Sequence, residues 1–187
     1  ALNAGRFIVS SSSTLAGGVS GSGPIDVNPG QTFVINHHAW NHAGTLTINP
    51  SASNAGTLVR FDQNCSISNL TININSYAPN PDTAYIQTGG SAVATFEPST
   101  LITGRGRVFG ATVHNGPITV AGSANYIELL SSNKSNNSTA KAENSGLLRV
   151  SSIVLSQGAS GQLLADNGSV HLSGATISGG QVNAANA

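Results

Sequence analysis

A degenerate repeat constrains this chain more than any other feature: a small polar residue, a glycine, then a short run of alternating apolar residues. It occurs as His42-Ala43-Gly44 before Thr45-Leu46-Thr47-Ile48, Asn54-Ala55-Gly56 before Thr57-Leu58-Val59, and His114-Asn115-Gly116 before Pro117-Ile118-Thr119-Val120. It returns as Asn144-Ser145-Gly146 before Leu147-Leu148-Arg149-Val150 and as Asp166-Asn167-Gly168 before Ser169-Val170-His171-Leu172. Period-2 alternation also marks 25–27, 33–35, 70–74 and 153–155, while no stretch carries the 3.6-residue period of an amphipathic helix. Such a chain is nearly all β. Each run is too short to bury much alone, so the apolar faces must be covered by stacking one turn of chain on the next.

The expected fold is therefore all-β, a single parallel β-helix (β-solenoid) over 1–187. Gly and Asn serve as corners because they tolerate positive φ, and inward Val, Ile, Leu and Ala stack coil on coil beneath outward Thr, Ser and Asn. The alternative is an antiparallel β-sandwich, whose hairpins also use Asn-Gly corners. Aromatics at 5% and a predominance of small aliphatics suit the narrower solenoid core. Glycines 44 and 56 lie twelve apart, as do 104 and 116, but the other spacings are irregular, which argues against a strict array such as a calcium-binding nonapeptide repeat. Two stretches read as excursions from the coils. The first is 77–83, where Pro79 and Pro81 remove ladder donors; the second is 131–141, whose core NKSNNST lacks apolar alternation.

Charge narrows the function. Charged residues are 7% of the chain, and seven bases balance seven acids. That leaves no electrostatic footprint for nucleic acid, and no apolar run is long enough for membrane insertion. Cys65 stands alone, so no internal disulfide or thiol-based metal site is expected, and stability must come from the fold. Met is absent even at the first position, so the sequence reads as a processed or internal stretch of chain. Solubility through amides and hydroxyls points to an extracellular location.

The segment 161–180 (GQLLADNGSVHLSGATISGG) resembles a coil of the large secreted β-solenoid proteins, the autotransporter passengers and filamentous-haemagglutinin-like adhesins. Gly104-Arg105-Gly106-Arg107-Val108-Phe109-Gly110 and Ser20-Gly21-Ser22-Gly23 are similar to their turn-strand-turn phrases. The resemblance implies a right-handed parallel β-helix at a cell surface, in adhesion or a structural layer, and brings no catalytic residues or cofactors with it.

Imidazoles concentrate only in His37-His38-Ala39-Trp40-Asn41-His42. On an extended strand His37 and His38 face opposite sides and His38 and His42 lie about 13 Å apart, so a metal site is not expected. The segment reads as a loop whose Trp40 covers the core, or as a glycan platform in which Trp40 stacks on a sugar while Asn41 and His42 bond its hydroxyls. For an enzyme acting on polysaccharide, a lateral groove with clustered acids is needed; Asp26, Asp62, Asp82 and Asp166 are scattered, and Arg105 and Arg107 are expected to share a strand face as a charge ladder. No catalytic residue is assigned.

Both ends look uncapped. Phe7, Ile8 and Val9 form an apolar strand near the start, and the pattern through Ile177 and Val182 runs on to the last residues. Unblunted coil ends invite pairing with another chain. The expectation is an extracellular structural or adhesive protein that self-associates into a filament or layer, with itself and surface glycans as partners. The alternative is a carbohydrate-binding or polysaccharide-degrading β-helix such as a phage tailspike fragment.

Overall fold

The computed structural model describes residues 5–78 and 80–185. Its strands stack into a β-solenoid of about 8 turns, and every pairing between its strands is parallel, which excludes the antiparallel sandwich. Each turn gives one strand to each of three ladders. The first ladder begins with Phe7–Val9 and Ile25–Val27, takes in the C-terminal part of Ala39–Ile48, and ends with Gln162–Asp166 and Gln181–Ala185. The second runs from Ser13–Leu15 through Thr32–Ile35, Thr57–Phe61 and Ala84–Thr88 to Leu147–Ser151 and Ser169–Ser173. The third runs from Val19–Ser22 through Val93–Phe96 and Ala111–His114 to Val154–Gln157 and Thr176–Ser178.

Register places like above like. One inward column of the first ladder reads Phe7, Ile25, Leu46, Ile72, Ile102, Ile118, Ala140, Leu163, Val182. A column of the second reads Phe33, Val59, Ile86, Val108, Leu129, Val150, Leu172. The inner rungs of both are buried, with exposure from 0% to 3%, so the core is a continuous shaft of aliphatic contacts. Coil length drifts widely, from the thirty residues separating Thr71 and Leu101 to the sixteen separating Ile102 and Ile118.

The repeat marks corners, as expected, but at two different corners of the coil. Gly44 and Gly116 lead into the first ladder, whereas Gly56, Gly146 and Gly168 lead into the second. That alternation explains the irregular spacing. The reason for glycine also differs from the expected one. None of these five has positive φ; that strain falls on Asn144, Ser145 and Asn167, at 49°, 68° and 54°. A Cβ on Gly116 would instead lie 2.0 Å from the Thr100 carbonyl oxygen of the preceding coil, and one on Gly146 would lie 2.2 Å from that of Val120. At four of the five, glycine is required by close coil-on-coil approach; Gly56 alone has open space.

The stretch after Asn75 does leave the coil, ending in a 3-10 turn at Pro81–Thr83 capped by the Asn80 side chain, which accepts from the Asp82 amide at 3.0 Å. Pro79 lies outside the described residues. The second excursion does not exist. Within 131–141, Lys134–Asn136 is a third-ladder strand, and Thr139–Glu143 begins a first-ladder strand. Lys134 and Asn136 point inward, 3% and 1% exposed. The polar stretch fits because its side chains find partners along the column: Asn136 donates to Gln157 Oε1 at 3.1 Å and to the Gln162 carbonyl at 3.2 Å, and Lys134 Nζ donates to the Gly110 carbonyl.

Candidate functional site

The His-rich segment proves to be structural. Residues 39–48 form one long strand, not a loop, and it turns a corner where its register shifts between Asn41 and Gly44. Trp40 is inward and 0% exposed, edge-on to Phe33 at 6.1 Å between ring centroids and tilted against Phe61 at 6.3 Å. A sugar has no access to that ring. His42 is equally buried, its Nε2 2.7 Å from the Gly23 carbonyl oxygen. Of the proposed trio only Asn41 reaches solvent, and its Oδ1 accepts from Asn69 Nδ2 at 2.8 Å, tying one corner to the next. The period-2 pattern across Trp40, His42 and Leu46 carried this signal, but the imidazoles drew attention away from it. His37 and His38 sit in a bend, bonded to the carbonyls of Ala39 and Asn64. Among the described residues no group of three His, Cys, Asp or Glu side chains is placed to hold a metal ion.

Among the described residues, the first and last rungs of the shaft are the exposed ones. Phe7 at one end of the first-ladder column is 37% exposed, and Val182 at the other is 54% exposed. Leu172, the last rung of the second-ladder column, is 47% exposed; it was not singled out from sequence, although register with Val150 places it there. Behind Phe7 lies a cavity of about 200 Å³ walled mainly by Leu15, Val19, Ile25 and Phe33. The other named end residues divide. Ile8 faces outward and is half exposed, Ile177 is partly covered by the core, and Val9 is 3% exposed, a core residue with no free surface to offer a partner.

Charge gathers elsewhere, along the outer side of the second ladder. Arg105 and Arg107 do not share a face, because their strand rounds a corner between them, where Arg105 ends its pairing in the first ladder and Gly106 begins pairing in the second. Arg105 pairs with Asn75 in the first ladder, and Arg107 with Tyr85 and Glu128 in the second. Arg105 donates to the Ala124 carbonyl at 2.7 Å. Arg107 meets Asp82, delivered by the 3-10 turn, and its Nε lies 2.9 Å from Glu128 Oε2. Glu128 is 4% exposed and fully engaged: Tyr126 and Ser151 each donate to it at 2.6 Å, and Arg149 Nε stands 3.6 Å away. Burial works against its charge, but those two hydrogen bonds and the two guanidiniums outweigh it and hold the carboxyl below its ordinary range. Such a carboxylate stays ionised at neutral pH and orients Arg107 rather than moving protons.

Removing this anchor strands several half-buried groups at once. Glu128→Ala is expected to lower stability by about 2 kcal/mol, since Tyr126, Ser151 and Arg107 lose a charged acceptor. Urea unfolding at pH 7 measures it, and a midpoint unchanged from wild type would contradict the arrangement.

Above Arg107 the outer surface is hollowed into two adjoining clefts. One, of about 310 Å³, is lined by Asp82, Tyr85, Gln87, Arg107 and Phe109. The other, of about 610 Å³, is lined by Arg60, Asp62, Gln87 and the turn 89–92. Sequence reasoning missed this site because its residues lie far apart along the chain; only the stacking of coils unites them. No protein-family model, curated protein or solved structure matches the chain, so its β-solenoid fold rests on its own strand register.

Proposed function

We propose that this chain is an extracellular structural or adhesive unit, a role in keeping with the secreted β-solenoid adhesins its turn-strand phrases resemble, and that it stacks end to end with copies of itself. The observation that carries the reading is that, among the described residues, the apolar columns run from exposed Phe7 to exposed Leu172 and Val182. Leu172 and Val182 stand out from one end, and a cavity of about 200 Å³ beside Phe7 opens at the other. Because every ladder is parallel, a head-to-tail stack presents the next strand with the polarity the ladder already uses. A head-to-tail contact repeats without closing, so the product is a filament or layer. The reading assigns no catalytic residue.

The expected result in sedimentation velocity is a series of species that grows with protein concentration. The series should persist in ~1 M salt, because backbone pairing and apolar stacking are little screened. Val182→Asp should collapse it by placing a charge in the joint. A compact monomer at every concentration overturns the proposal, and assembly that dissolves in salt overturns its interface chemistry.

A further inference from the structure

The second-ladder clefts have a chemistry of their own, on the side of the coils and clear of both ends. Tyr85 and Phe109 form one wall, ring centroids 5.5 Å apart and 73° between planes. Gln87 borders both clefts, and register stacks Arg60, Gln87 and Phe109 on successive coils, so the depression runs along the solenoid axis. Successive rungs in such a ladder are about 4.8 Å apart. A linear ligand lying across three rungs would meet both clefts.

Charge selects the ligand. Each cleft holds one balanced pair: Asp82 meets Arg107, and Asp62 accepts two bonds from Arg60, at 2.7 Å from Nε and 2.9 Å from Nη2. Neither a phosphate nor a cation finds a net field there. What the clefts do offer is planar groups with paired donors or acceptors, on Asp62, Asp82, Gln87, Arg60 and Arg107, beside the apolar Tyr85 and Phe109 rings. Adjacent hydroxyls of a pyranose match the first, and its C–H face matches the second. Glu128 steadies Arg107 from the next coil, so this part of the site is pre-organised.

We propose that this cleft is a binding site for an uncharged oligosaccharide chain laid along the solenoid axis. Tyr85 and Phe109 cover one sugar ring, Asp82, Gln87 and Arg107 bond its hydroxyls, and Arg60 with Asp62 receives the next unit. The proposal does not depend on end-to-end stacking.

The test applies the full chain to an array of neutral, uronate-containing and sulfated oligosaccharides, followed by calorimetric titration of the strongest neutral binder. Binding to neutral chains is expected, with affinity falling at least about tenfold in Tyr85→Ala and in Gln87→Ala. Asn41→Ala, on a different corner, should bind as wild type does. Circular dichroism of each variant separates a lost contact from a lost fold. No neutral binder, or neutral binding that survives both cleft substitutions in folded protein, overturns the proposal. Recognition confined to the acidic chains overturns the charge-balance argument on which the ligand class rests.

Discussion

Trp40→Ala is expected to destabilise the protein by about 3–5 kcal/mol, the loss typical of an aromatic side chain removed from a closed core. Trp40 sits on the third-ladder column between Val19 and Ile67 and touches Phe33 and Phe61, so its removal leaves a void bounded by two coils. Parallel backbone hydrogen bonds set the spacing of those coils, which gives the void little freedom to collapse. Trp40→Phe should lose much less, because the indole Nε1 has no hydrogen-bond partner in the core and the smaller ring also removes that unsatisfied donor. Urea unfolding followed by circular dichroism gives both values. A loss under about 1 kcal/mol for the alanine variant would mean that the ring does not sit in the core.

Lys134 predicts an effect of the opposite sign. Its column runs Cys65, Ala94, Thr112, Lys134, Leu155, Ile177, so an ammonium occupies a buried rung between Thr112, whose hydroxyl is engaged by His114, and the apolar Leu155. Burial lowers its pKa from 10.5 to about 7. The unfolded chain therefore binds the extra proton between pH 7 and 10.5, and folding stability rises with pH across that window, by on the order of 5 kcal/mol in full. His114, one strand away and 0% exposed, acts in the same direction at lower pH. Burial, with the nearby charge of Lys134, lowers its pKa from 6.5 to about 3, so stability falls as pH drops through that interval. Cys65 opposes both at the alkaline end: burial raises its thiol from 9.0 to about 11, and stability falls as pH rises between those values. The Lys134 gain and the Cys65 loss cancel between pH 9.0 and 10.5, so the rise from neutrality levels off there. Lys134→Leu, which continues the column with the residue already used at Leu155, is expected to stabilise the protein by about 1–4 kcal/mol at pH 7. It should also flatten the rise above neutrality. Urea midpoints from pH 6 to 10 test both parts, and a variant that keeps the wild-type slope would refute the assignment.

Those two residues show what the sequence could and could not disclose. The parallel solenoid was legible because alternation and glycine corners are local, and their physical meaning survives without knowing which coil touches which. Gly116 was correctly placed at a corner even though the reason, a carbonyl 2.0 Å from a would-be Cβ, depends on the neighbouring coil. Polarity misled at 131–141: Lys134 and Asn136 look like loop residues until the column that receives them is known. Chemistry also drew the eye to Trp40 and His42, whose alternate positions on a strand point them inward. Arg105 and Arg107 stand two apart, which suggests one face, but the corner at Gly106 divides them. The cleft around Tyr85 and Arg107 had no local signature at all, because register alone creates it.

The change of core material along the shaft gives the molecule a direction. Coils near the start are filled by Phe33, Trp40, Phe61 and Phe96, whereas those near the end have no buried aromatic among the described residues and mix Leu148, Val150, Leu155 and Leu163 with the smaller or polar Ala140, Ala142, Asn136 and Gln157. In a stack whose turns touch only their neighbours, stability is approximately a sum over local contacts. The aromatic turns therefore form the seed, and the later turns gain order by zipping onto it. A ribosome releases those same turns first, so the strongest template is already standing when the weaker coils emerge.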